Sequence, residues 1–188
     1  MKTTIDYTIC FFSPWHCGSG TSAGADVDEL VVKDKNGMPY IPGKTLKGLI
    51  REAVDNYLLF SGEADKMSTL VDLLFGKIMS ADAKPVSGCA YFGNATLPEA
   101  EYTTTVCNKA QRYMYEKITT TAIDCDGIAK DHSLRSMEVV VPCTLHACIT
   151  DVPEEYVDVI VGSFGLLKRL GQKRNRGLGR CEFRKEEL

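Results

Sequence analysis

A chain of 188 residues with 44% hydrophobic and 25% charged side chains carries enough apolar material for one folded domain, and too much for a disordered one. Its net charge of −3 argues against a protein that coats nucleic acid by bulk electrostatics, although a local basic surface remains open to it. The eight cysteines are scattered, with no C-x-x-C pair and only three histidines to join them, so the pattern points away from zinc and disulfides and toward a reducing, cytoplasmic setting.

Met1–Asp6 shows no signal-peptide pattern, and no apolar run approaches the ~20 residues of a membrane span. Residues 3–12 alternate and are rich in Thr, Ile, Tyr and Phe, which predicts a first strand. Ser, Pro and Gly over 13–25 predict a long flexible loop, and 30–33 a short strand. Asn36-Gly37 signals a tight turn before a helix over 45–60, whose apolar face is Leu46, Leu49, Ile50, Ala53, Val54 and Tyr57. A second helix is expected over 66–75, ended by Gly76, then a strand over 89–97. Residues 137–149 read as a strand interrupted near Pro142. Pro153 opens a helix expected to last to Leu170, and 178–184 is the closing strand. Strand, helices, strands, helix, strand is the order of an α+β, ferredoxin-like sandwich. The polar, Thr-rich stretch 99–136 fits that core poorly and reads as an inserted arm.

Two segments carry charge in a pattern that points to a polyanion. Between Leu167 and Arg180 lie six basic side chains (Lys168, Arg169, Lys173, Arg174, Arg176, Arg180), no acid, and Gly171, Gly177 and Gly179. Glycine lets backbone N–H groups approach a phosphate, and arginine adds a fork that grips two oxygens. The second segment is Ile41-Pro42-Gly43-Lys44-Thr45-Leu46-Lys47-Gly48-Leu49-Ile50-Arg51. It is not a P-loop: Met38 stands where that motif requires glycine. What remains is a helix N-terminus with Lys44, Thr45, Lys47 and Arg51 around it. Gly177-Leu178-Gly179 follows a helix and precedes a strand, the reverse of a dinucleotide-binding fingerprint. His16 sits in a glycine-rich loop where it is open to a structural, RNA-contact or acid–base role. Asp26 and Asp28 form a carboxylate pair of the kind that holds a hard cation such as Mg²⁺.

Taken together, several segments resemble the RAMP superfamily of CRISPR proteins. Residues 39–51 are similar to its I-P-G-S-S-L-K-G-x-x-R signature. Leu74-Phe75-Gly76 with Gly88–Ala95 is similar to L-F-G … G-x-l-x-f-x-D-A, and Arg174–Phe183 to the family's C-terminal glycine-rich loop. Departures are Leu30 where proline is usual, Asn94 in place of Asp, Cys125 in place of Arg in an I-D-R stretch of the arm, and Cys143 where a Gly often follows Pro.

The resemblance implies one RAMP domain over 1–188, a modified RRM core, with 99–136 as a thumb-like arm. It is closest to the backbone subunits of type III effector complexes, which stack in filament-like copies along guide CRISPR RNA beside other effector subunits. In the branch that cuts target RNA, an Asp before the I-P-G motif acts with a divalent ion. Asp28 matches it first, as catalytic residue and metal ligand, and Asp26 second. The resemblance therefore implies a metal-dependent endoribonuclease when assembled. Its rivals are a non-catalytic scaffold and a guide-processing endoribonuclease using His16. His16, with Gly18 and Gly20, falls in the loop that lies against guide RNA in such proteins. The expected RNA contacts are these three, Lys44, Thr45, Lys47 and Arg51, and Lys173, Arg174, Arg176, Gly177, Gly179 and Arg180.

Overall fold

Strand β1 (Lys2–Phe11) sorts its side chains by alternation: Ile5, Tyr7, Ile9 and Phe11 are buried, while Asp6, Thr8 and Cys10 point to the opposite face. The computed structural model describes residues 1–24, 26–62, 64–77 and 86–186. After β1 come α1 (Gly43–Phe60), α2 (Ala64–Phe75), and the short strands β2 (Gly76–Lys77), β3 (Val86–Ser87) and β4 (Tyr91–Phe92). They are followed by α3 (Glu99–Cys107), β5 (Tyr115–Thr120), β6 (Arg135–Val140), β7 (Thr144–Pro153), α4 (Val157–Ser163) and β8 (Cys181–Lys185).

The main sheet is antiparallel in the order β4-β7-β1-β8. Helices α1 and α4 connect its strands in the β-α-β-β-α-β sequence of a ferredoxin-like fold, as expected. Ile5 faces Ile149 across the ladder, and Ile9 faces both Leu145 and Phe183, so one sheet face is a continuous apolar layer. Against it pack Leu46, Ile50, Ala53, Val54 and Leu58 of α1, all buried, with Ile160 of α4 and Phe164 just beyond it. Tyr7 meets Phe164 at 5.1 Å between ring centres, and Trp15 stacks on Phe11 at 4.8 Å.

The start of α1 is held by two devices. A β-carbon on Gly43 would lie 2.0 Å from the Phe92 carbonyl oxygen, so only glycine lets the helix reach β4 this closely. Pro42 has no side chain to cap the helix. Asn94 does so from across the chain, accepting the Gly43 N–H at 2.8 Å. The Asn-for-Asp departure therefore keeps the acceptor and removes its charge.

Several expected elements are corrected. The last helix stops at Ser163 and a 3-10 turn ends at Leu166. Residues 167–170 run extended instead, with Leu170 N–H donating to Gly179 O at 2.8 Å and Cys181 N–H to Lys168 O at 3.0 Å. Buried Leu167 and Leu170, three apart around exposed Lys168 and Arg169, mimic helical spacing. Nor is 13–25 simply a flexible loop: Val32 N–H donates to Cys17 O at 2.8 Å and Ser19 N–H to Leu30 O at 2.9 Å. The strand expected over 30–33 amounts to isolated bridges at Val31 and Lys33, and that over 89–97 to β4 plus bridges at Ala95 and Thr96. Residues 137–149 do break at Pro142, and the halves join different sheets.

The segment read as an arm holds α3, β5 and the start of β6. β5 and β6 form a hairpin in which Tyr115 faces Val140 and Thr120 faces Arg135. It is tethered to the Asn36-Gly37 turn: Tyr115 Oη donates to Gly37 O at 2.7 Å, and Tyr102 of α3 donates to the Asp34 carboxylate. Among the described residues, no helix is long and apolar enough to cross a membrane.

Candidate nucleic-acid interface

Three segments lie side by side at one end of the sheet. Phe12 N–H donates to Arg180 O at 2.8 Å, Gly179 N–H to Pro14 O at 2.8 Å, and Gln172 N–H to His16 O at 2.9 Å. Both ends of the basic loop are thus pinned to the 12–16 segment, which forces 173–177 outward. Lys173 at φ 51° and Gly177 at φ 88° bracket a 3-10 turn over Arg174–Arg176. Arg174, Arg176 and Arg180 are exposed and Lys173 partly so. Among the described residues none of the four is in salt-bridge contact with a carboxylate. The two glycines differ. Gly177 has open space around it, whereas a β-carbon on Gly179 would sit 1.8 Å from Leu170 O. The first is free to face a ligand; the second is required by the protein's own packing.

Beside this loop, His16, Gly18, Gly20, Asp28, Glu29 and Gln172 line a cleft of about 400 Å³. His16 is fully buried, with Nδ1 2.6 Å from the Glu138 carbonyl oxygen. A carbonyl only accepts, so Nδ1 carries the hydrogen and, in the neutral ring, Nε2 presents a lone pair. Nε2 is buried and has no protein partner among the described residues. Gly18 roofs it: a β-carbon there would come within 3.1 Å of both His16 Nε2 and Gln172 Nε2.

Asp28 is exposed, and Oδ2 accepts the Ser136 N–H at 2.7 Å, docking this segment on the start of β6. Asp26 is also exposed. Its carbonyl accepts the Ser136 hydroxyl at 2.9 Å, and it lies outside the cleft's lining. Sequence reasoning missed Glu29, whose Oε2 is buried without a partner among the described residues, and Gln172. It also missed Glu138. That carboxylate takes the Val31 N–H at 3.1 Å and Lys33 Nζ at 2.7 Å, while its carbonyl orients His16. An acid directly after Asp28 and a lone acid within an apolar strand were the only signals available.

Among the described residues no three His, Cys, Asp or Glu side chains converge as a ready-made metal cage. Asp28 and Glu29 both line the cleft, Asp28 with an exposed side chain, and Mg²⁺ is commonly held by one or two carboxylates plus substrate phosphates and water. The donor set fits an ion that arrives with a phosphate ligand.

The start of α1 adjoins the cleft. Burial pushes the Cys17 thiol up, against the opposing pull of the Thr45 hydroxyl and the Lys44 charge, which places Cys17 against the helix's first turn. Lys44 and Thr45 are exposed. Lys47 and Arg51 are half-buried, and Arg51 Nη1 donates to Gly76 O at 3.1 Å, tying α1 to the segment after α2. The basic face expected on α1 is thus divided between solvent and scaffold.

A ferredoxin-like sheet whose first strand is clasped by a basic, glycine-rich return loop defines a class of protein, and comparison with known families identifies it. The RAMP superfamily profile matches residues 8–182, and the chain belongs to that superfamily. In fold it is similar to a chain of the structure described as the Type III-B Cmr-beta bound to cognate target RNA, at TM-score 0.68 and 13% identity over 97% of each chain. It is equally similar to a chain of the Type III-B Cmr-beta in the apo state, at TM-score 0.69 and 14% identity, covering 98% of this chain and 97% of that one. No curated protein matches it by sequence.

Proposed function

We propose that the protein is a backbone subunit of a type III CRISPR effector complex that binds guide RNA and cleaves complementary target RNA. The observation that carries this reading is the cleft itself: residues widely separated in sequence (His16, Asp28 and Gln172) line one hollow at the foot of the basic loop. Membership of the RAMP superfamily and a fold shared with chains of Cmr-beta structures, one bound to target RNA, support it.

Lys173, Arg174, Arg176 and Arg180, with Lys44 and Thr45 at the start of α1, would hold the phosphate backbone, since exposed cations that make no salt bridge among the described residues give up no ion pair on binding. The reaction is attack of a ribose 2′-hydroxyl on the adjacent phosphorus. The 2′-O–P bond forms, the P–O5′ bond breaks, and the 2′ proton leaves while the departing 5′ oxygen gains one. A divalent cation bound by the phosphate would neutralise developing charge on its oxygens. Asp28, with one carboxylate oxygen anchored by Ser136, has the other to orient that ion or the 2′ hydroxyl. His16, its ring fixed by Glu138 and its Nε2 buried under Gly18, would shape the floor of the cleft against which the RNA lies.

The test is Asp28→Ala in the assembled complex: target cleavage should be lost while guide and target binding persist. Undiminished cleavage at every site would refute the catalytic role. A second reading, a non-catalytic scaffold in the same complex, is favoured by the structural use of Asp28, whose Oδ2 accepts the Ser136 N–H at 2.7 Å. It predicts no metal-dependent cleavage by the wild-type complex.

A further inference from the structure

At the end of β1 the side chains Phe11 and Phe12 point to opposite faces. Phe11 is buried against Trp15, whereas Phe12 is 52% exposed. An aromatic ring left in water at a strand end gains nothing for the core. Its surroundings give it a use. Lys168, Arg169 and Arg180 line the same cleft of about 540 Å³, and the Arg180 guanidinium carbon lies 5.9 Å from the Phe12 ring centre. The backbone fixes the arrangement: Phe12 N–H donates to Arg180 O, Arg180 N–H donates to Ser13 Oγ at 2.9 Å, and Arg169 bridges Arg180. Glu182 is the one acid in the cleft, and its carboxylate accepts from Arg184 at 2.6 Å.

We infer that Phe12 is a stacking platform for one unpaired nucleobase of the bound RNA, with Lys168, Arg169 and Arg180 holding the adjoining phosphates. An exposed ring among cations is the combination that single-stranded nucleic acid uses: the ring takes the π-face of any base, and the cations follow the backbone. Phe12 is four residues from His16, at most roughly 14 Å along the chain. A single strand can therefore occupy this platform and the cleft beneath Gly18 together. The inference rests on the RNA-binding reading above and adds a subsite to it.

Phe12→Trp tests it in the full chain, because the native Trp15 is buried and the new indole is the exposed fluorophore. A short single-stranded oligoribonucleotide is titrated, with binding followed independently by anisotropy of a label on the RNA. Saturable quenching of the introduced indole that tracks binding is expected, while an abasic oligomer of equal charge binds without quenching. Phe12→Ala should weaken oligoribonucleotide binding roughly 5- to 150-fold with an unchanged salt slope, and Phe12→Tyr should restore it. Lys168→Gln with Arg169→Gln should instead flatten the slope. Binding without quenching overturns the platform and leaves the RNA reading standing; no binding at all by the folded chain overturns both. A blue shift of the introduced indole that grows with protein concentration in the absence of RNA would show a protein covering the ring, and would also overturn it.

Discussion

Replacing Gly179 and Gly177 by alanine in separate variants divides the basic loop into the part that folds the protein and the part that meets a ligand. Both glycines have positive φ, 69° and 88°, where an alanine costs about 1–2 kcal/mol. At Gly177 nothing lies within 4 Å of the added methyl, so that strain is the whole effect. At Gly179 the methyl would sit 1.8 Å from Leu170 O, and the two backbones must separate by more than an ångström. That motion breaks the Leu170 N–H to Gly179 O bond and strains the neighbouring Cys181 to Lys168 bond, each worth ~1 kcal/mol net and more if a partner stays buried. The sum for Gly179→Ala is about 3–5 kcal/mol.

For a domain of this size each kcal/mol moves the melting midpoint by roughly 2–4 °C. Gly177→Ala should therefore melt roughly 2–8 °C below the wild type and Gly179→Ala roughly 6–20 °C below, by far-UV circular dichroism. RNA affinity measured well below both midpoints should fall for Gly177→Ala if the turn meets phosphate. Equal melting of the two variants, or a Gly179→Ala protein of native stability that has lost RNA binding, would refute the division.

Changing Lys173, Arg174 and Arg176 together to Gln should weaken RNA binding and reduce the slope of log affinity against log salt by about 2, at ~0.7 per single-strand phosphate contact; an unchanged slope would make the loop structural only. Burial pushes the Cys181 thiol up to about 12 and Cys143 up to about 11, whereas Cys107 and Cys125 are exposed. A thiol reagent at neutral pH should therefore label Cys107 and Cys125 first and reach Cys181 only on denaturation, with uniform rates counting against this packing. Partial burial raises the Asp34 carboxyl, but hydrogen bonds from Tyr102, Met38 and Asn36 outweigh it and hold the group below its ordinary value. Its contribution to stability is complete at neutral pH and is lost as pH falls below ~4. Tyr102→Phe should accordingly move acid unfolding to higher pH, and an unmoved midpoint would be contrary evidence.

What was legible in the sequence follows from what local patterns encode. β1, α1 and α2 have long, regular apolar spacing and one buried side, and they form close to where that spacing puts them. α3 lies in the polar, Thr-rich stretch that reads as an arm, and it buries no residue, although Pro98 with Glu99 and Glu101 is a helix-start signal. The overrun of α4 had the opposite cause: Leu167 and Leu170 keep helical spacing but are buried from an extended segment whose hydrogen bonds go to 179–181. In the cleft, Asp28 and His16 were legible through local motifs. Glu29 and Gln172, and Glu138 that orients His16 from outside the lining, were not, because what recruits them is a long-range hydrogen bond or a shared wall, and neither leaves a local period.

A net charge of −3 is compatible with the proposed RNA binding because the charges are segregated. The outer face of the main sheet carries Asp6, Thr8 and Cys10 on its central strand, Glu182 on β8, and Glu186 beside His146. Among the described residues no aromatic occupies the middle of that face, where RRM sheets stack bases; Tyr91 and Phe12 stand at opposite margins. Arg184, opposite Thr8, is ion-paired with Glu182, so a strand laid across the sheet would meet Asp6 and charges already paired, and no central platform. The same strand laid along the loops meets Lys168, Arg169, Lys173, Arg174, Arg176 and Arg180, with no carboxylate between Leu167 and Arg180. On the RNA-binding reading, therefore, the route runs in this chain along the return loop, where the cations have no carboxylate beside them in sequence, rather than across the sheet, where the charges are largely paired.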